Sequence, residues 1–452
     1  MRVTKALCCI MISCVLTGCS LFGGENVDNQ ALGDEISTLN ISSDCSYDRT
    51  PQTSHICIDN QGYLPTSKKV FYIQNPQVDN LHKEYSILDA DSDEPIYSGN
   101  LVMVKEATGD AGALYMGDFS MLADAGAYRI YQPDVGYSDS FIVDKNVYRK
   151  LFDASNSKLK TYSYVENADC IYPMTMMMLT EEIYGTGKID YDYIQKQINY
   201  LLTQQDKKTG GVYGEYMSED NLNKLINDSK QKGTAFDAST YLSLTTTALT
   251  AGVIAQFCAD NNTGNINVPQ YISAANRAYV YIERYRDNVD PDAWYYASAE
   301  LYRATGGYKY RNAIAEYDTI GSIEKESEPD YTLVADVAYL KTNYKIDYDR
   351  CQAIWDKYVD RVGEISSKSG KESYYVQNDI ETLEKADILN NMIELGLVSY
   401  VLSGNEYGSI ENNYIHYLGG NNPDRADYFA HDFEESDIQS KMLFVLASGM
   451  VE

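Results

Sequence analysis

Positive charge is scarce in this chain. Against 66 aspartates and glutamates stand only 37 lysines and arginines, a formal net charge of -29 over 452 residues. That balance repels phosphate backbones and argues against a nucleic-acid partner. Polyanionic glycans such as pectate are disfavoured in the same way, while neutral glycans are compatible. Cys-x-x-Cys pairs and His-rich spacings are missing, so the pattern calls for no metal or other cofactor. Beyond the N-terminal leader there is no long apolar run, which leaves no further segment with which to span a membrane. No self-similarity recurs at a fixed period, which argues against a repeat solenoid.

What is present begins with a processing signal. Arg2 and Lys5 precede the apolar stretch Ala6–Val15, which is too short for a permanent transmembrane helix. Leu16-Thr17-Gly18-Cys19 then reads as a bacterial lipobox. In that reading residues 1–19 are a lipoprotein signal, Cys19 receives diacylglycerol, and the mature protein meets the membrane through its lipid anchor alone. An ordinary signal peptide with an incidental cysteine is the plainer alternative. Of the nine cysteines, Cys45, Cys57, Cys170, Cys258 and Cys351 remain for the folded part. A Cys45–Cys57 disulfide and buried free thiols are both open.

Residues 20–53 are rich in Gly, Asn, Asp, Ser and Thr and read as a flexible tether. Residues 54–146 read as β. Val70–Ile73, Tyr85–Asp89, Pro95–Leu101, Gly126–Tyr131 and Ser138–Val143 are short strand candidates punctuated by turn signals such as Ala90-Asp91-Ser92-Asp93, the pattern of a sandwich. From 147 to 452 the apolar period becomes helical. Tyr172–Tyr184, Tyr193–Leu202, Thr240–Phe257, Tyr271–Tyr285, Pro291–Thr305, Tyr308–Tyr317, Thr332–Leu340, Cys351–Val362, Ile380–Leu402, Ser409–Leu418 and Ile438–Ser448 are the main segments. Paired helices in such succession suggest an α/α toroid.

Several runs resemble glycoside hydrolase family 9. Ile56-Cys57-Ile58-Asp59-Asn60-Gln61-Gly62-Tyr63-Leu64-Pro65, followed by Lys68-Lys69, resembles the opening of the immunoglobulin-like module that precedes many family 9 catalytic domains. Gly117–Ser120, Gly126–Ile130 and Ser138–Val143 resemble the second half of that module. Leu201–Asp206 with Gly210-Gly211-Val212-Tyr213, Trp294–Gly306, and Asn413–Pro423 resemble three landmarks of the family's helical domain. The resemblance implies an all-β immunoglobulin-like sandwich followed by an all-α (α/α)6 toroid, with a cleft that binds β-glucan or cello-oligosaccharide.

The resemblance thins where the chemistry should be. Family 9 hydrolysis is inverting. One carboxylate activates a water, another acid protonates the leaving oxygen, and the two stand about 6.5–9.5 Å apart. The family's Asp-Ala-Gly-Asp base motif is replaced by Asn167-Ala168-Asp169-Cys170, without the preceding Gly-Gly-Trp. Asp169 alone matches the last aspartate, and as a residue ahead of Tyr172 it also suits a helix N-cap. Glu435 has the spacing of the family's acid before the last helix, although Phe433-Glu434 stands where an Asn is expected and acidic residues are favoured in any first helical turn. The His-x-Arg block that grips sugar hydroxyls is shortened. Arg425 and His431 remain, the latter read equally as a surface histidine. Trp294 is one of only two tryptophans available to stack on a sugar. The many tyrosines recur at helical spacing, as core residues do.

Two functions fit. One is a cell-surface lipoprotein that hydrolyses β-glucan or cello-oligosaccharide with Glu435 as acid and Asp169 as base. The other is a catalytically impaired relative that binds glycan or another surface protein on the same fold.

Overall fold

The computed structural model describes residues 55–74, 76, 80–106, 112–260, 268–317, 330–376, 385–402, 406–430 and 433–450, without the side chains of 385–387. The leader, Cys19, the 20–53 tether, Cys45 and His431 lie outside the described residues. The chain divides into two compact units. One comprises Ser155–Asp360 with Phe433–Phe444, and the other comprises the residues up to Ala154 with Arg361–Asp432 and the C-terminal residues.

The second unit contains the sandwich. Its first sheet has the order β1-β2-β6-β5, from β1 (Ile56–Cys57), β2 (Val70–Gln74), β5 (Val102–Lys105) and β6 (Leu114–Asp118). The other has the order β4-β3-β7-β8, from β3 (Glu84–Asp89), β4 (Pro95–Asn100), β7 (Gly126–Gln132) and β8 (Gly136–Tyr137), with β9 (Phe141–Val143) on the far part of β7. Alternation sends Tyr85 and Ile87 of β3 and Tyr128 and Ile130 of β7 into a core shared with Phe71, Phe119 and Phe141. The turn foreseen at 90–93 forms because Asp89 Oδ1 accepts from the Asp91 and Ser92 amides at 3.1 and 2.9 Å. Strands β5, β6 and β8 lay outside the predicted set.

Helices α11 (Lys385–Leu402) and α12 (Gly408–Leu418) belong to this unit, and here two of the sequence landmarks meet. Asp59, buried in the loop after β1, faces His416 on α12 with Oδ2 2.8 Å from Nδ1. Tyr148 donates to the same Oδ2 at 3.1 Å, and His416 Nε2 faces the Lys68 carbonyl at 3.1 Å. A carboxylate and a carbonyl only accept, so each imidazole nitrogen faces an acceptor. The Asn60 amide donates to the Gly419 carbonyl at 2.8 Å, and Asn421 Nδ2 donates to Val70 O at 3.0 Å. The Asp59–Tyr63 and His416–Asn421 runs are thus a docking joint that welds the sandwich to α12.

The first unit is helical, and its helices alternate between two kinds. Those buried on all sides are α2 (Ile171–Tyr184), α5 (Leu244–Asp260), α7 (Pro291–Thr305) and α9 (Tyr331–Lys341). They pack on one another in the succession α2–α5–α7–α9, and α9 returns to α2. Those buried on one face are α3 (Tyr191–Thr203), α6 (Val268–Glu283) and α8 (Tyr308–Ala315), which lie outside them. Three further helices, α1 (Arg149–Leu159), α10 (Tyr348–Ser369) and α13 (Ser436–Ser448), are divided between the two units. Helix α4 (Glu219–Gln231) was not foreseen. It buries no residue fully; its apolar side chains Leu222, Leu225 and Ile226 stand three and four apart on one half-buried face, and its Ser218 cap accepts from the Asn221 amide.

The remaining landmarks also carry structure. Gln205 Nε2 donates to the Gly210 and Ala274 carbonyls at 2.9 and 3.0 Å, and its Oε1 accepts from Arg277. Gly306 closes α7 in the left-handed region at φ 69, where a side chain would strike Tyr344. Inside the Trp294–Gly306 run, Glu300 and Arg303 join Glu182, Asp260 and Lys341 in a buried cluster. Glu182 is in the last turn of α2, Asp260 ends α5 and Lys341 ends α9, so the cluster lies at the C-terminal ends of the inner helices. Three carboxylates face two cations there. Burial drives the Glu300 carboxyl well above its usual range, against the pull of Arg303 and with repulsion from Asp260 and Glu182. Burial likewise brings Asp260 to about 7. In Glu182 the effect of burial is overcome by Arg303 and Lys341, and its carboxyl falls below the usual value.

Cys57, Cys170, Cys258 and Cys351 are buried free thiols, so Cys57 is not held in a disulfide. No helix among the described residues is long and apolar enough to cross a membrane.

Candidate active site

The opposite ends of the inner helices come together as well. Tyr331, which opens α9, sits 5.4 Å from Tyr172 near the start of α2, ring to ring. Lys441 in α13 lies 5.8 Å over the Tyr172 ring. The electrostatic surroundings of Tyr331 include Asp437 at the start of α13 and Cys170 just before α2, and burial holds its phenol well above the usual value. The N-terminal ends of α2, α9 and α13 therefore share one end of the unit, where their dipoles favour negative charge.

Both sequence-chosen carboxylates are at this end. Glu435 is the residue before α13, exposed, with its carbonyl accepting from the Gln439 amide at 3.2 Å. Asp169 is exposed in the turn before α2. It does not cap that helix as foreseen. Cys170 holds the N-cap position without a side-chain bond, and Asp169 Oδ2 accepts from the Glu166 amide at 3.4 Å. Two tyrosines tie the segments together. Tyr162 donates to the Phe433 carbonyl at 2.5 Å, and Tyr164 hydrogen-bonds the Ser436 side chain. Burial, followed by the neighbouring Tyr193 and Cys170, raises the Tyr164 phenol so that it stays neutral.

The Asp169 turn is anchored by Asn167, which is 1% exposed. Its Nδ2 donates to the Tyr213 and Glu215 carbonyls at 2.8 and 3.1 Å, its Oδ1 accepts from Tyr200 at 2.7 Å, and its amide donates to Gly214 O at 2.8 Å. An exposed carboxylate on a turn clamped from below is able to hold a water, and one ahead of a helix, tied to it by tyrosines, is able to hold or release a proton. Neither tyrosine link nor the Asn167 anchor was foreseen. The signal available was a cluster of aromatic and amide residues at 162–167, read there only as a shortened motif.

The other sequence-chosen residues stand elsewhere. Trp294 is 5% exposed, with Tyr279 packed at 4.8 Å and the Arg286 guanidinium at 5.0 Å from its ring. As placed it is a packing residue of α7. Arg425 belongs to the second unit, with backbone φ 54 and its amide bonded to Asn422 O at 3.1 Å. It lies close enough to Cys57 to oppose the rise that burial gives that thiol, which stands at about 11. No group of three or more His, Cys, Asp or Glu among the described residues is placed to hold a metal ion.

Comparison with known proteins bears on the fold. Residues 51–137 match the family model for the cellulase N-terminal ig-like domain. A metagenome-derived glycoside hydrolase family 9 endoglucanase superposes with a TM-score of 0.71 at 13% identity, covering 88% of this chain and 99% of its own. A single-mutant thermostable endoglucanase from Alicyclobacillus acidocaldarius gives 0.67 at 14%, over 88% and 99%. The Bacteroides ovatus GH9 structure gives 0.66 at 14%, over 88% and 98%. No curated protein sequence matches the chain. At such identities the likeness is one of fold: an N-terminal immunoglobulin-like sandwich followed by the all-α (α/α)6 domain of family 9 endoglucanases.

Proposed function

We propose that this protein is a cellulase-like glycoside hydrolase acting on soluble β-glucan or cello-oligosaccharide by inversion. Glu435 protonates the glycosidic oxygen, and Asp169 takes a proton from the attacking water. The observation that carries the reading is the joining of their two segments, through Tyr162 to Phe433 O and Tyr164 to Ser436, at the shared N-terminal end of α2, α9 and α13. The endoglucanase fold supports it by analogy. In the same reading Cys19 is lipidated and the protein is held at the bacterial membrane, outside the cytoplasm.

Loss of an essential acid or base costs about 10²–10⁴-fold in rate. Glu435→Gln and Asp169→Asn should each lower reducing-end release from soluble β-glucan by that order, and the first product of the wild type should be the inverted anomer by NMR. Full activity in both variants would put the chemistry elsewhere. The second reading, a glycan-binding protein without turnover, is favoured by one observation. Asp169 stands on its turn without the first aspartate, the glycine and the Gly-Gly-Trp of the family motif. Glycan binding with no turnover in the wild type would establish it.

A further inference from the structure

Beside the Asp169 turn the chain makes a long excursion between two paired strands. Strands β10 (Val212–Tyr213) and β11 (Leu242–Ser243) form an antiparallel ladder, yet residues 214–241 separate them, and α4 lies in that stretch. The outgoing arm is fixed to the turn. Glu215 forms a backbone bridge with Glu166, whose amide is the donor to Asp169 Oδ2. The Asn167 amide donates to Gly214 O, and its Nδ2 donates to Glu215 O. Gln204 grips the arm at Met217, accepting from its amide at 2.7 Å and donating to its carbonyl at 3.4 Å. The returning arm enters through the turn Ala238–Thr240, capped by Asp237, which accepts from the Ser239 amide at 3.0 Å. It closes on the ladder where Tyr241 O accepts from the Gly214 amide at 3.0 Å.

Between these two roots α4 is loosely held. It buries no residue fully, and among the described residues no helix or strand is packed along it. Its ends are secured locally. Ser218 accepts from the Asn221 amide at 3.1 Å, and beyond the helix Gly233 turns the chain at φ 72 with open space around it. A segment so rooted opens at a fraction of the cost of global unfolding. Leu222, Leu225 and Ile226 form its half-buried apolar strip, and Asn221, Asn223 and Asn227 add exposed amides. Apolar side chains suit the C–H faces of a pyranose and amides suit its hydroxyls. A ligand moves such an element only through contacts that differ between its two positions. Here those contacts are the strip left half-covered in the free protein and the amides that face water.

We propose that α4 is a lid, hinged at Ser218 and Gly233, that closes over a neutral oligosaccharide bound at the Asp169 turn. Such closure shuts bulk water out and commits the bound chain. The inference rests on the glycan reading above but does not need turnover. The test is hydrogen exchange read by mass spectrometry on the full chain carrying Glu435→Gln, free and with saturating cellohexaose, beside calorimetric titration with the same sugar. In the free protein the amides of 219–231 should exchange far faster than those of α5, and cellohexaose should slow them about 10-fold or more. The double variant Leu225→Asn with Ile226→Asn should weaken cellohexaose binding by about 3- to 10-fold and leave the thermal midpoint unchanged. Exchange over 219–231 that bound cellohexaose does not alter overturns the proposal. So does a double variant with a lowered midpoint and full affinity, since the strip then serves packing alone. If cellohexaose protects 219–231 but the wild type hydrolyses nothing, the lid stands and the hydrolase fails. If the wild type hydrolyses glucan while 219–231 exchange alike with and without sugar, the hydrolase stands and the lid fails. No heat of binding and no protection with cellohexaose overturns the lid and the glycan reading together.

Discussion

Alanine at position 419 should be costly in the native protein and nearly harmless once Asp59 is removed. Gly419 has φ -78 and ψ -6, a backbone that alanine adopts freely, so strain in the chain is not the cost. The cost is contact. A Cβ there would lie 2.1 Å from Asp59 Oδ1 and 2.5 Å from its carboxyl carbon. Asp59 has little freedom to retreat, because Oδ2 is held by His416 and Tyr148 and Oδ1 accepts from the Gln61 amide at 2.9 Å. Overpacking of this kind costs about 1–3 kcal/mol. Asp59→Ala costs about 1–3 kcal/mol, since it leaves the buried His416 Nδ1 and the Tyr148 hydroxyl without their shared acceptor. In that background the methyl group that Gly419→Ala adds meets the space the carboxylate left. The substitution should then be neutral or should stabilise by about 0.4–1 kcal/mol through the unfolded chain. The double variant should therefore exceed the additive expectation by about 1–4 kcal/mol. Urea unfolding of the wild type, both single variants and the double, followed by near-ultraviolet circular dichroism, measures that coupling. Equal costs of Gly419→Ala in both backgrounds, within about 0.5 kcal/mol, would refute the packing argument.

The buried cluster at the other end of the inner helices makes stability depend on pH. Its carboxyls Asp260 and Glu300 are raised, so the folded state keeps a proton that the unfolded chain gives up near pH 4. This contribution is full below about pH 4 and is lost as pH rises toward 7, with a slope of about 1.4 kcal/mol per pH unit while one proton differs. Glu300→Gln leaves two carboxylates with two cations and should flatten that slope in urea unfolding between pH 4 and 7; an unchanged slope would exclude the cluster as its source. Cys19→Ser should leave the precursor unprocessed or free it from the membrane fraction, and unchanged processing and retention on fractionation would count against lipidation.

Local pattern and composition determined a good deal. Alternation and turn residues placed β2, β3, β4, β7 and β9, because a strand with one face in a core must repeat every second residue. The 3.6 period placed the inner helices, although those are apolar nearly all round and their ends came from caps such as Asp290 and Gly306. Helix α4 escaped because its apolar residues, Leu222, Leu225 and Ile226, repeat over a single turn only and none of them is fully buried. Asp169 and Glu435 stand just ahead of helices α2 and α13, where the resemblance put them. Tertiary structure decided what stands around them. Trp294 looked like a sugar platform by residue type, yet its place on a helix packed on both sides makes it a core residue. Asp59 and His416 are 357 positions apart, and no local period links them. Their pairing exists because the fold buries both side chains at one joint, where each supplies the other's hydrogen-bond partner.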